Sequence, residues 1–213
     1  MPRTADHAQR RAQIIDGFVR VAARDGVHAV TMRGVAAEAG VSLRLVQYYF
    51  ETKGRLMLVA LRHLEERSHA RWADRLAAQP QPASPRARVE ALLAEALPTD
   101  EDSRTFHILW TSCAMLAMTD PDLAAQSFAQ GPDRLEAQLA GLLRQAQSDG
   151  LLDEGADPDT ESARLLALGH GLGTSVLVGR RTPEAALRVL RYHLDRVFTG
   201  AAGSSSRQTR RCP

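Results

Sequence analysis

The sequence predicts an all-α protein with two parts, a three-helix head and a larger helical bundle. Three observations carry that reading. Apolar residues recur at 3.6-residue spacing in one segment after another, as in Ile14, Ile15, Phe18, Val19 and Ala22. The segments are delimited by capping residues and prolines, among them Thr31, Ser42, Thr52, Ser84-Pro85 and Thr182-Pro183. No stretch shows the strict alternation of a strand, and no internal repeat is present. With 213 residues, 44% of them hydrophobic, the chain can fill one compact unit or two closely packed small domains.

Composition narrows the classes further. No apolar run is long enough to span a bilayer. The start, Met1-Pro2-Arg3-Thr4-Ala5-Asp6, lacks the apolar segment of a secretion signal, so a soluble cytoplasmic protein without membrane contact is expected. Two cysteines, Cys113 and Cys212, make no disulfide framework. The net charge of +2 conceals a split. Residues 1–55 hold nine basic and five acidic side chains, whereas residues 56–206 hold 15 basic and 20 acidic. A basic end on an acidic body suits a protein that presents one end to a polyanion, although scattered surface charge gives the same small difference.

In chain order, residues from about His7 to Asp25 form a first helix, which Gly26 ends. It should cover the inner side of the next two. Thr31 caps a second helix with Val35, Ala36 and Ala39 on one face. Gly40 stops it, because glycine enters the left-handed conformation at little steric cost. Ser42 caps a third helix whose Val46, Tyr49 and Phe50 turn inward, leaving Leu43, Arg44, Gln47 and Tyr48 on the other side. An exposed face of Arg, Gln and Tyr beside a glycine turn suits a recognition helix in a DNA major groove.

The stretch Thr31 to Gly54 resembles the DNA-binding signature of the TetR family of transcriptional repressors. The matching residues are Thr31-Met32-Arg33, Val35-Ala36, Ala39-Gly40-Val41-Ser42, Tyr49-Phe50, Lys53 and Leu56. The sequence departs from the family at Arg44, Leu45 and Gln47, where Gly or Ala, Thr, and Tyr are frequent. The resemblance therefore implies fold and DNA binding but no operator sequence.

Thr52 caps a fourth helix running from Lys53 through Leu56, Val59, Ala60, Leu61 and Leu64 towards Arg75, the expected connector of head and body. The proline-rich break Gln79 to Pro85 follows. Ser84-Pro85 opens a helix to about Leu97. Ser103, or the acids Asp100-Glu101-Asp102 before it, opens another through Phe106, Leu109, Trp110, Cys113, Met115 and Leu116 to Met118. Asp120-Pro121-Asp122 restarts the chain as a helix to about Gln130, and Gly131-Pro132 interrupts it. A helix resumes from Asp133 with Leu135, Leu139, Leu142, Leu143 and Ala146 until Gly150. A turn from Asp153 to Asp159 leads to a helix from Thr160 to about Val178, and Thr182-Pro183-Glu184 opens the last, ending near Phe198. The expected division is 1–52 as the helix-turn-helix DNA-binding domain, 53–199 as the helical ligand-binding and dimerisation domain, and 200–213 as a disordered tail.

The body resembles the ligand-binding half of BetI-type regulators, the choline-responsive subgroup of the family. That resemblance rests on Phe106–Met118, Asp120-Pro121-Asp122-Leu123, Leu139 to Gly150, Ala163-Leu165-Leu166 and Gly171-Leu172-Gly173. It implies fold and homodimerisation, and it does not carry over choline as the ligand.

In the head, Arg44 can fork to guanine, Gln47 can pair with adenine, and Leu45 can touch a thymine methyl. Lys53, the one lysine among 27 basic residues, stands at a helix start where amides and dipole also favour an anion. Tyr49 has a phenol for phosphate, or simply packs. Arg10 and Arg11 could reach phosphate or stay solvated. Thr31, Met32, Ser42, Leu43 and Tyr48 complete the expected contact set on double-stranded DNA.

In the body, Phe106, His107, Trp110, Cys113, Met115 and Phe128 concentrate the bulky and soft side chains. They form either ordinary core or the wall of a pocket for an apolar or amphipathic effector. His107, His170 and Thr174 could hydrogen-bond such an effector. Cys113 could be a redox sensor, but an apolar neighbourhood would make it inert. No His, Cys or carboxylate set has metal-ligand spacing, and no cofactor is implied. Three glycines in Gly169-His170-Gly171-Leu172-Gly173 cost a helix about 1 kcal/mol each against alanine, and close approach of another helix would offset that. The dimer face is expected on the last two helices, through Leu165, Leu168, Leu172, Val176, Leu187, Leu190 and Leu194.

The reading is a homodimeric regulator, a repressor in which a small molecule releases two heads from a near-palindromic operator. In that picture the heads do not touch the Phe106–Met118 helix. The rival is a small helical enzyme or small-molecule-binding protein using His107, Cys113 or His170, for which no base, nucleophile and orienter set is present.

Overall fold

The computed structural model describes residues 3–79, 82–119, 130–153 and 155–198. Among them it contains nine helices and no strand. α1 spans Arg3–Asp25, and a short 3₁₀ turn, Val27–Ala29, follows it. α2 is Met32–Glu38, α3 is Leu43–Phe50 and α4 is Lys53–Ala77. α5 is Pro85–Glu95, α6 is Glu101–Ala117 and α7 is Gln130–Ser148. α8 is Pro158–Leu177 and α9 is Pro183–Val197.

Most of these helices begin where a side chain can serve an opening amide that has no partner inside the helix. Thr31 accepts from the Gly34 N–H, Ser42 from Leu45, Ser84 from Ala87 and Thr182 from Ala185. Asp100 and Ser103 cap α6 reciprocally, each side chain accepting from the other's N–H. Three expectations change. α1 starts at Arg3, ahead of His7. The helix expected from Asp133 starts at Gln130, so Gly131-Pro132 lies in the first turn of α7, where a missing N–H costs nothing. α8 starts at Pro158, because the Asp157 carboxylate takes the Thr160 N–H and makes Thr160 a first-turn residue. The helix expected from Asp120 to about Gln130 and the tail 200–213 lie outside the described residues.

The chain packs as two compact units. The first is Met1–Ala70 with Asp100–Gly131. Its core joins Ile14 and Phe18 of α1 to Val35, Val46 and Phe50 of the helix-turn-helix and to Leu56, Leu61 and Leu64 of α4. Leu109 and Cys113 of α6 are buried in the same core, and Phe106 and Trp110 pack against it. The packing thus does not follow chain segments: α6 rests on α1 and on the 3₁₀ turn. The expectation that the head is free of α6 is corrected.

The second unit is Arg71–Thr99 with Pro132–Pro213. Its core joins Val89 and Leu93 of α5, Leu139 and Leu143 of α7, Leu165 and Leu172 of α8 and Leu190 and Leu194 of α9. The buried carboxylate of Glu95 is held by Arg71 at 2.7 Å and by Arg75 at 3.1 Å. Pairing is what makes such a charge tolerable inside. Arg86 pairs with Asp195, and Arg191 with Glu90, tying α5 to α9. No described helix is long and apolar enough to cross a membrane.

Candidate nucleic-acid interface and effector region

α3 owes its orientation to two buried residues. Val46 and Phe50 are four apart and sink into the first core, at 0% and 2% exposure. That leaves Arg44, Gln47 and Tyr48 exposed, with Tyr48 at 71%. Leu43, Leu45 and Tyr49 are half-buried along the flanks, and Met32 of α2 is half-buried beside them. Thr31 and Ser42 are exposed at the starts of α2 and α3. Their oxygens accept helix amides, so each O–H proton remains available to an incoming acceptor.

The arginines of the head divide by partner. Arg10 pairs with Asp6, Arg20 with Glu38, Arg24 with Asp25 and Glu38, and Arg55 with Glu51. Arg11 lies over the Phe50 ring, 5.6 Å from its centroid. Arg10 and Arg11, which the sequence left between phosphate contact and solvation, are engaged by their own chain. Arg44 is exposed and pairs with no carboxylate among the described residues.

Lys53 opens α4 half-buried, and its amine donates to the His28 carbonyl at 3.5 Å. Desolvation lowers its pKa from the ordinary value. Tyr49 packs half-buried against the first core and also reaches α1. Its hydroxyl lies 2.7 Å from Nδ1 of His7 at the start of α1, and the rings meet edge-on at 5.9 Å. Sequence reasoning missed His7, 42 residues distant in the chain. It also missed Gln13, whose amide donates to the Ala39 carbonyl at 2.7 Å where α2 ends. Neither residue carries a local signal.

The expected effector residues fall in separate units. Phe106, His107, Trp110, Cys113 and Met115 lie on α6 in the first unit, and His170 and Thr174 lie on α8 in the second. His107 and Cys113 are buried, and Phe106 and Trp110 are half-buried. Met115 is 64% exposed, so it forms no part of a closed wall in its unit. The hydroxyl of Thr174 is spent on the His170 carbonyl at 3.0 Å, on the outward side of α8. Phe128 lies outside the described residues. Burial, with the charge of Glu65 adding to it, pushes the Cys113 thiol up to about 12, so it is protonated and unreactive near neutrality. Burial lowers the pKa of His170, which favours its neutral form.

Most of the expected dimer residues are enclosed within their own unit. Leu165, Leu190 and Leu194 are at 0% exposure inside their own unit, and Leu172 and Val176 are buried too. A side chain already enclosed has no surface to give a second copy. Only Leu168 and Leu187 are half-exposed. Within its own unit no neighbouring helix crowds Gly169 or Gly171: a Cβ at either would meet nothing within 4 Å.

Comparison with known proteins agrees with this geometry. The family model of bacterial regulatory proteins of the tetR family matches residues 14–60. The model of the BetI-type transcriptional repressor C-terminal domain matches residues 85–199. The chain is 28% identical over 199 residues to the HTH-type transcriptional regulator PksA of Bacillus subtilis, covering 92% of this chain and 94% of that protein. It is 29% identical to the HTH-type transcriptional regulator BetI of Rhizobium meliloti, covering 87% and 84%. A transcriptional regulator from Saccharomonospora viridis, solved in complex with choline, superposes with a TM-score of 0.75 at 28% identity, covering 88% of this chain and 94% of that one. The chain belongs to the TetR family of ligand-responsive, DNA-binding transcriptional regulators, with a C-terminal domain of the BetI type.

Proposed function

We propose that this regulator acts in the cytoplasm as a homodimeric repressor that binds a near-palindromic operator and is released from it by a small molecule. The observation that carries the reading is the outward face of α3, where Arg44, Gln47 and Tyr48 stand exposed over the buried pair Val46 and Phe50. Arg44 and Gln47 are assigned to base edges, with Leu45 beside them for a thymine methyl. Thr31, Ser42, Tyr49 and Lys53 are assigned to phosphates, which fix position rather than sequence. Residues 1–52 serve as the DNA-binding part and 53–199 as the part for ligand and dimer.

The dimer face is reassigned to the side of α8 and α9 that each protomer leaves open. Ala163, Ala167, Gly171, Thr174 and Val178 line one exposed stripe of α8, and Arg188 and Tyr192 are exposed on α9. The empty space around Gly171 would admit a partner helix closely, which gives the glycine run its reason.

The effector acts through α6, the helix that shares a core with α1 and α4. A ligand that shifts α6 shifts α1, and with it the spacing of two heads on DNA. Coupling of this kind is typically about 1–3 kcal/mol. Phe106 and Trp110 offer ring faces to an apolar or amphipathic molecule. Ring faces also suit a quaternary ammonium such as the choline held by the Saccharomonospora viridis protein. No catalytic role is assigned, since a Cys113 thiol with a pKa near 12 is no nucleophile at neutral pH.

Selection of genomic fragments by the purified protein tests the reading. Recovery of fragments sharing a two-fold symmetric motif supports it, and neighbouring genes would then point to the effector. Recovery of fragments with no common motif would remove sequence-specific repression.

A further inference from the structure

His7 is a solvent-exposed imidazole hydrogen-bonded to the one recognition-helix residue assigned to a phosphate. Its Nδ1 lies 2.7 Å from the Tyr49 hydroxyl. The bond has two proton arrangements with different consequences for DNA. When Nδ1 is unprotonated, the phenol O–H donates to it, and only lone pairs remain to face an incoming anion. When Nδ1 carries a proton, in the neutral Nδ1–H tautomer or in the imidazolium, it donates to the phenol oxygen and the Tyr49 O–H is released to donate elsewhere. Only the imidazolium always carries that Nδ1–H, and it adds a charge.

Of the charged groups around the pair, Arg10 bears electrostatically on Tyr49. On α1, Asp6 and Arg10 pair with each other at 2.9 Å, and Arg11 lies over Phe50. On α3, Tyr48 meets Tyr49 edge-on at 5.4 Å, and Arg44 stands on the exposed face. Past the end of α3, Glu51 and Arg55 pair at 2.6 Å, and Lys53 donates to the His28 carbonyl. α2 meets α1 farther along, where Glu38 pairs with Arg20 and Arg24. On α4, His63 stands 3.5 Å from Asp16 of α1, and on α6, Asp102 pairs with Arg67. Among the described residues no carboxylate pairs with His7.

We propose that His7 is a proton-dependent positioning residue for the DNA backbone. Its protonated ring holds the Tyr49 oxygen through Nδ1–H and turns the phenol O–H onto an operator phosphate. The proposal rests on the DNA-binding reading above and specifies the chemistry of one of its phosphate contacts. The proton ledger closes with one proton taken from solvent per head bound, and no proton leaves Tyr49 for His7. The imidazolium also adds a positive charge beside the phosphate. The operator contact is therefore charge-assisted, a stronger bond than a neutral one. Histidine is the side chain whose charge changes between about pH 5 and 8, so operator affinity is set to rise as the cell or the buffer acidifies.

The test uses the full chain and a duplex recovered by selection from random-sequence DNA. Affinity is measured by fluorescence anisotropy from pH 5.8 to 8.0 at constant ionic strength. Wild-type affinity should rise by about tenfold more than that of His7→Gln over this range, the scale of one charge-assisted hydrogen bond. His7→Lys, a permanent cation and donor, should bind tightly with a flat profile. Tyr49→Phe should lose most of the pH dependence even though His7 is intact, keeping only the part that the bare ring charge supplies. Parallel profiles for wild type and His7→Gln overturn the proposal. A Tyr49→Phe profile as steep as wild type also overturns it, because His7 would then act on DNA directly. If selection recovers no duplex, the DNA-binding reading itself fails, which is a separate result.

Discussion

Gly17 of α1 lies against Ala39 at the end of α2: a Cβ added to Gly17 would come within 3.0 Å of the Ala39 Cβ and 3.3 Å of its backbone nitrogen. One helix turn earlier, Gln13 donates to the Ala39 carbonyl. The helix-turn-helix is thus seated on α1 at a point that admits no side chain. Gly17→Ala sets a gain of about 0.5–1 kcal/mol in helix propensity against overpacking of about 1–3 kcal/mol. Because Ala39 meets it with backbone as well as a methyl, the clash should win. The variant should melt a few degrees lower and bind operator more weakly, and Gly17→Val should do both more severely. A variant as stable as wild type would show that the α1–α2 contact is looser than its geometry.

Arg44 and Lys53 should part by role. Arg44→Ala should relax preference at one base position and cost about 1–3 kcal/mol on the selected operator. Lys53→Ala should weaken binding to all sequences about equally and flatten its salt dependence. Comparing selected and scrambled duplexes over a salt series separates the two. A change in base preference for Lys53→Ala would reverse the assignment.

The dimer prediction turns on exposure. Gly171→Glu places a carboxylate on the open side of α8 and should give a folded monomer with weak operator binding. Leu190→Glu forces a charge into an apolar core and should unfold the second unit instead. Light scattering with circular dichroism distinguishes these outcomes. A stable dimer of Gly171→Glu would move the interface away from α8.

Cys113 supplies a chemical check on the core. In a Cys212→Ser background, folded protein at pH 8 should resist thiol alkylation and react fully once unfolded. Its pKa is raised from 9.0 to about 12 in the fold, so the stability sign follows. An unfolded thiol ionises above about 9 while the buried one cannot, and stability should fall as pH rises from 9 towards 12. Rapid alkylation of the folded protein would mean that α6 opens readily.

What was legible in the sequence was local. Thr31, Ser42, Ser84 and Thr182 announce their helices because each cap acts on an amide three residues away. What was not legible was partnership. Periodicity marks Leu165, Leu190 and Leu194 as a buried face, but it does not say whether the same chain or a second copy buries it. The His7–Tyr49 contact spans 42 residues and leaves no pattern. The seating of α6 on α1 likewise depends on Leu109 and Cys113 meeting a core built from α1 to α4, far earlier in the chain, which helical spacing cannot encode.

That seating changes what Trp110 should do. If α6 touched only an effector, Trp110→Ala would spoil induction and leave operator affinity alone. In the structure Trp110 packs half-buried against the core that also holds Ile14, Phe18 and Phe50. Trp110→Ala should therefore cost about 3–5 kcal/mol of stability at most, less in proportion to its exposure, and lower operator affinity together with effector response. Trp110→Phe, which keeps a ring against the core, should restore stability and DNA binding. In a Trp72→Phe background the fluorescence of Trp110 reports its own surroundings, so effector binding should shift it directly. Operator binding should shift it too, because α1 carries the head and rests on α6. A spectrum that moves with effector but stays fixed on operator binding would show that the α6–α1 contact does not carry the signal.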